Sequence, residues 1–334
     1  KASGKKEKDA TGKTINGRKY GFDEYGRMNA GWITGTPSNT SQGIATYSNS
    51  FSYYSTPEDG ARSTKGWFKV VPGYYLQTDK YNDGADAWYY SNNDGKIVAN
   101  EIKSINGKKY AFDNYGRMIS GFAVLQMEPA GTGFSSKNIV EKVKSDGNYD
   151  NEDNYDKWVV NNAGLFKSGE YRAYYFGGGD DGAMKTGKQT VELDGEKLTF
   201  EFHKNGSNKG AGVVGKSDNK FYLAGKLSVA DTDAKIEILV LNSDGSFVSK
   251  HSVYEAITTY GDGGTEHRKS NGEVDFTEWK LTNLPTDSVD STKKAKAYVL
   301  NTTGALVKSG TKKDGENYKV KTTNYTIDWI QLAE

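Results

Sequence analysis

Cysteine is absent from the 334-residue chain, which excludes a disulfide framework and any thiolate nucleophile or thiolate metal site. Histidine is scarce: His203, His251 and His267 are the three copies, and no two have zinc-ligand spacing. There is no Gly-x-Ser-x-Gly elbow and no phosphate-binding glycine loop, so the chain is read as a non-enzyme without a cofactor. The crowded acids, Asp150, Asp153, Asp180 and Asp181, each sit among turn residues and are read as solvated turn acids rather than a glycosidase pair. An excess of charge is also missing. With 44 basic and 43 acidic side chains the net charge is +1, which argues against nucleic acid or anionic lipid as an electrostatic partner. No run of about 18 apolar residues occurs, so membrane insertion is not expected.

The chain is rich in aromatics and glycine. It has 23 Tyr, 13 Phe and 6 Trp, and its 40 Gly are nearly twice the usual share of ~7%. Short alternating runs of Tyr, Phe, Val and Lys are punctuated by Asn-Gly, Asp-Gly or Gly-Lys, the rhythm of serial β-hairpins. The expected fold is all-β.

An internal repeat is plain. Residues 15–31 read INGRKYGFDEYGRMNAG and residues 105–121 read INGKKYAFDNYGRMISG, identical at 12 of 17 positions. Weaker copies lie at 88–97 (WYYSNNDGKI), 174–187 (YYFGGGDDGAMKTG) and 298–310 (YVLNTTGALVKSG). Tyr20 and Phe22, like Tyr110 and Phe112, lie two apart and so share one face of a strand. A turn glycine follows, and Met28 or Met118 returns to the same layer. A lone hairpin is marginal in water, so its aromatic face must be covered by the next unit, in a β-solenoid-like series with inserted loops.

On these residues the chain resembles the bacterial cell-wall-binding or choline-binding repeat family, with relatives in streptococcal glucan-binding domains and clostridial toxin repeats. The resemblance covers residues 12–125 and 170–190. It implies a choline cage built from the Gly-Trp position and the first Trp of a Trp-Tyr-Tyr run, held together by cation–π attraction. Gly31-Trp32 and Gly66-Trp67 keep the first element, and Trp88-Tyr89-Tyr90 keeps the second. Elsewhere Lys19, Lys109 and Ala173 stand at the second position, and a lysine there would repel a quaternary ammonium. Choline is therefore disfavoured and the sugar-binding branch is the better analogue.

Sugars present flat C–H faces that an indole or phenol ring covers while polar side chains bond the hydroxyls. Trp67, Trp88 and Trp158 stand beside polar segments and are the first candidates, followed by Trp32, Tyr74, Tyr90 and Tyr54. Trp329, between apolar neighbours in TIDWIQL, is assigned to the core. Asp146, Asn148 and Asp150 have the alternate spacing that opens a calcium loop, but Asn151 and Lys157 stand where such a loop needs Gly and Glu. A looser structural Ca²⁺ site on those three residues is the one metal expectation.

The division expected along the chain is aromatic repeats over 1–128 with a polar insertion at 36–65, and an acidic insertion or linker over 129–165. A second repeat block follows over 166–228, then a C-terminal β-sheet or small sandwich over 229–334. The functional expectation is a monomeric, extracellular, surface-attached or secreted protein that binds a polysaccharide, with an α-glucan (starch-like or dextran-like) favoured. Two alternatives stand beside it: an anchor recognising teichoic acid or peptidoglycan, and a structural or adhesin spacer that binds a protein.

Overall fold

A computed structural model of the chain describes residues 11–34 and 47–333. Antiparallel hairpins dominate it, as the turn rhythm requires. The chain divides into two compact units, Lys1–Ser145 with Ser168–Lys185, and Asp146–Lys167 with Thr186–Glu334. This differs from the four-part division expected from composition: the segment 129–165 is shared between the units rather than linking them.

In the first unit, Thr11–Ile15 pairs with Arg18–Phe22, Gly31–Thr34 with Phe51–Tyr54, Gly66–Val70 with Ala87–Ser91, and Glu101–Ile105 with Lys108–Phe112. Asn16 and Gly17 have φ of 49° and 78°, and Asn106 and Gly107 of 49° and 80°, the double positive φ of a type I′ turn. The last hairpin joins a five-stranded sheet ordered Tyr171–Tyr175, Phe122–Ala130, Gly133–Lys142, Glu101–Ile105, Lys108–Phe112.

After three of the four hairpins the chain reverses around an Asp or Asn side chain; after Phe51–Tyr54 it turns at Thr56, whose carbonyl accepts from Asp59 N and Gly60 N. Asp113 Oδ1 accepts from the backbone N–H of Tyr115 and of Arg117, both at 2.9 Å, and its Oδ2 accepts from Arg117 Nε at 2.8 Å. Asp23 and Asn92 repeat the arrangement on their own turns. The returning residue then bridges back to the strand it left, as Phe22 to Met28, Tyr54 to Arg62, Ser91 to Ile97 and Phe112 to Met118. Each return side chain also lies against a positive-φ glycine in a later turn: Met28 on Gly60, Arg62 on Gly95, Ile97 on Gly116 and Met118 on Gly182. A Cβ at any of those glycines would overlap the seated side chain, so the seam between successive repeats depends on glycine.

The polar insertion expected at 36–65 is in its described part a repeat, because Phe51–Tyr54 completes the second hairpin; residues 36–46 lie outside the described residues. Its polar composition is misleading because several hydroxyls bond within the fold: the Thr34 and Ser50 hydroxyls bond each other at 2.8 Å, and the Ser48 hydroxyl donates to the Asn114 carbonyl at 2.7 Å. The aromatic cores of this unit collect Phe51, Leu76, Tyr89 and Ile97 in one cluster and Tyr90, Val98, Ile105 and Phe112 in another.

In the second unit the acidic run expected to be a loop is turn over 146–151 and helix from Glu152 onward. Helix α1 (Glu152–Asn161) is capped by the Asn151 side chain, which accepts from Asn154 N, and its first turn carries Glu152 and Asp153, where the helix dipole favours acids. Tyr155 and Val159, four apart, bury its inner face, and the Tyr155 hydroxyl donates to the Ala224 carbonyl at 2.7 Å. Helix α2 (Ala163–Ser168) begins in this unit and buries Phe166. One five-stranded sheet is ordered Gly187–Leu193, Glu196–Phe202, Lys226–Leu227, Lys220–Leu223, Gly215–Ser217. An aliphatic core of Ile236, Ile238, Val240, Val299, Val320 and Ile330 links a three-stranded and a second five-stranded sheet. Helix α3 (Val253–Tyr260), held at its start by the Ser252–Glu255 capping box, packs its Val253 and Ala256 on that core. Ile330 and Val320 are fully buried there, whereas Trp329, on the other face of the same strand, is only half-buried.

Candidate functional site

The hairpin formed by Gly66–Val70 and Ala87–Ser91 concentrates the chemistry. Lys69 and Trp88 are direct cross-strand partners, and the Lys69 ammonium lies over the indole, 5.7 Å from its centroid. The same ammonium bonds both carboxylate oxygens of Asp180, at 3.1 and 3.0 Å. Trp88 Nε1 is buried without an aligned acceptor. Asp180 is held below the usual carboxylate range by its bond from Lys69 first and by the nearby indole N–H second. The cation position over Trp88 is thus filled by the chain's own lysine.

The segment joining the two strands carries three tyrosines. Tyr74, Tyr75 and Tyr81 are 43%, 38% and 37% exposed, so all three rings are offered to solvent. Tyr74 meets Tyr75 edge to face at 5.2 Å and Tyr81 at 5.5 Å, with interplanar angles of 85° and 90°. A short helix, Thr78–Asp83, places Tyr81, and Gly84 in the left-handed region closes it. The Tyr47 hydroxyl donates to the Tyr75 carbonyl at 3.1 Å and fixes the base of the cluster.

The other rings expected at the site fall elsewhere. Trp67 is packed among Trp88, Tyr90, Tyr110 and Phe112 at centroid distances of 4.8 to 6.3 Å. Trp32 donates its indole N–H to the Val71 carbonyl at 2.9 Å and is surrounded by Phe51, Tyr53, Phe68 and Tyr89. Tyr54 and Tyr90, 1% and 8% exposed, are core residues and offer no ring face to a ligand. Strand alternation alone does not account for this, because Tyr89 and Ser91 on either side of Tyr90 are buried as well, so both faces of that strand are covered. Trp158, half-buried in α1, contacts Tyr149 and Phe166 in the second unit and so is not part of the cluster at hairpin 66–91. Of the seven expected rings, Tyr74 and Trp88 remain at this site. Tyr75 and Tyr81 were missed, although the sequence Tyr74-Tyr75 followed by Tyr81 at helical spacing carried the signal.

Of the residues expected for a loose Ca²⁺ site, Asp146, Asn148 and Asp150, one has a structural role. Asp150 is committed to the start of α1, accepting from Gly147 N at 3.0 Å and Asn154 Nδ2 at 2.8 Å. Among the described residues no three His, Asp or Glu side chains converge as metal ligands. Asp181 pairs with Lys185, whose hydrogen bond holds the carboxyl below its ordinary range.

No protein-family model matches the chain. It is 29% identical over 194 residues to glucosyltransferase-S of Streptococcus mutans serotype c, a match that covers 56% of this chain and 10% of that protein. The chain therefore spans about a tenth of the length of this relative. Among solved structures it is similar to CbpJ of Streptococcus pneumoniae TIGR4 at 13% identity and TM-score 0.32, covering 95% of this chain and 92% of that one. It is also similar to choline binding protein F of Streptococcus pneumoniae at 15% identity and TM-score 0.23, covering 94% and 90%. Likenesses at such scores carry no weight for this fold, which rests on its own strand pairings. The chain resembles the cell-wall-binding and choline-binding repeat family on its glucan-binding side. Among the described residues no helix is long and apolar enough to cross a membrane.

Proposed function

We propose that this chain is a non-catalytic, extracellular polysaccharide-binding segment whose glycan lies on the exposed tyrosines at the end of hairpin 66–91. The favoured ligand is an α-glucan, starch-like or dextran-like. The observation that carries the reading is the edge-to-face trio Tyr74, Tyr75 and Tyr81, three solvent-facing rings on an ordered support. Such an array costs free energy in water unless an apolar surface covers it, and the C–H face of a pyranose is one that does so while leaving its hydroxyls wet. The partial match to a streptococcal glucosyltransferase supports a glucan over other sugars. Affinity electrophoresis through gels containing amylopectin, dextran or purified cell wall tests it. Retardation in an α-glucan gel that Tyr74→Ala abolishes is expected; free migration in all three gels would overturn the reading.

A further inference from the structure

Lys226, in the second unit, is 4% exposed, and among the described residues no other lysine is buried. A lysine is almost never covered to that extent unless it is paired. It stands on the two-residue strand Lys226–Leu227, with Phe200 and Leu223 as cross-strand neighbours. Its ammonium bonds both Asp156 oxygens at 2.7 Å and also pairs with Glu152. The two acids are four residues apart on α1, so they share the helix face that lies over the lysine. Between them in sequence, Tyr155 donates its hydroxyl to the Ala224 carbonyl at 2.7 Å, two residues before Lys226. Helix and strand are therefore tied together where the amine meets the carboxyl.

None of these groups belongs to the tyrosine platform. Taking an ammonium and carboxylates out of water is costly, and a neutral group in their place often stabilises a fold. Burial pushes the Asp156 carboxyl up and outweighs the pull of Lys226. Burial acts on Glu152 in the same sense, but there the bond from Lys226 prevails and holds the carboxyl below its ordinary range. Two carboxyls shifted in opposite directions around one amine supply an acid and a base. Nζ is equally distant from both Asp156 oxygens, which sets it against the carbon between them.

We propose that Lys226 and Asp156 condense to an isopeptide bond, an amide between the two side chains, with Glu152 as the proton carrier. One ammonium proton passes to the Asp156 carboxylate, leaving an amine and a carboxylic acid. The Nζ lone pair attacks Cγ of Asp156 and the C–N bond forms. A second proton passes from Nζ through Glu152 to the hydroxyl oxygen, the C–O bond breaks, and water leaves. Glu152 ends as it began. The sum is ammonium plus carboxylate to amide plus water, with no oxidant and no co-reactant. Fixed proximity stands in for chemical activation, and the loss of both charges removes their desolvation cost. A cavity of about 610 Å³ lined by Glu152, Asp156 and Lys226 gives the water an exit. The bond joins positions 70 residues apart in a chain without cysteine, and restricts the unfolded chain as a disulfide does.

The intact mass of the whole chain, measured under denaturing conditions, tests this. The unaltered chain is expected to be lighter than its sequence by one water, and its digest should contain a fragment joining the peptides of Asp156 and Lys226. Lys226→Arg and Asp156→Ala should both have the full mass. In timed samples after cell-free synthesis, Glu152→Gln should condense about a hundredfold more slowly. An unaltered chain that stays at full mass after prolonged incubation overturns the inference, whether or not any variant folds. A water loss that survives Asp156→Ala, as from cyclisation at an Asp-Gly pair elsewhere, also overturns it. Condensation of Glu152→Gln at the unaltered rate overturns the role given to Glu152.

Discussion

Lys69 faces Trp88 across one strand pair and lays its ammonium 5.7 Å from the indole centroid, and the same ammonium bonds the Asp180 carboxylate at 3.0 Å. A free quaternary ammonium would have to displace a tethered cation that already has a carboxylate partner. Choline at low millimolar concentration should therefore leave the tryptophan fluorescence of the chain unchanged. Lys69→Ala should uncover the ring and make the emission responsive to added ligand. A saturable choline isotherm with the unaltered chain would sink this account.

The rings should sort into two groups on truncation. Tyr74→Ala or Tyr81→Ala is expected to weaken glucan binding by about 1–3 kcal/mol, by analogy with the stacking of bases on aromatic side chains, at nearly constant melting temperature. Tyr54→Ala and Phe112→Ala, which remove fully buried rings, should cost about 3–5 kcal/mol of stability. Trp32→Ala and Trp67→Ala should behave as the second group, since ring contacts hold both. Gel retardation gives the first quantity and denaturation the second. If the tyrosines destabilise and the buried rings do not, the assignment is reversed.

Acid should remove one identified contact in the second unit. Burial alone would raise the Asp244 carboxyl, but bonds from the Lys167 ammonium, the Ser246 hydroxyl and the Ser246 N–H outweigh it and hold the group at about 2. The folded value lies below the unfolded one of about 3.9. The contribution is therefore complete above about pH 4 and is lost as pH falls from there through about 2. Lys167→Met should lower the melting temperature at pH 6 and approach the unaltered chain near pH 2. A gap that is constant or widens on acidification would contradict this sign.

Chelation should have no effect on folding. Asp150 is engaged at the start of α1, and no carboxylate trio converges among the described residues. Addition of EDTA is expected to leave the melting temperature unchanged. A fall of several degrees, reversed by Ca²⁺, would restore the site considered on Asp146, Asn148 and Asp150.

Much of the first unit was legible in its residues. The two copies of the Ile-Asn-Gly motif at 15–17 and 105–107 dictate a type I′ turn because Asn followed by Gly accepts two successive positive φ values at little cost. Helix α1 was not legible, because its acidic first turn reads as loop until Tyr155 and Val159 find a surface to bury against. The mixed polarity of 47–65 hid the strand Phe51–Tyr54 for a related reason: the serines around it are covered by the fold, Ser48 and Ser50 with hydrogen-bond partners there.

The sequence by itself determined the all-β character, the hairpin turns and the Asp or Asn reversals, since each depends on dihedral preference and hydrogen bonds within a few residues. Only the tertiary structure decided which rings are exposed and which are core. Trp67 and Tyr74 are both aromatic and both beside polar segments, yet exposure depends on whether the next repeat covers the ring. The same holds for Arg62, an unremarkable residue in the chain until its strand bridge to Tyr54 places it on Gly95, where the other repeats put apolar side chains. Contacts between residues dozens of positions apart set those outcomes, and local preference carries no record of them.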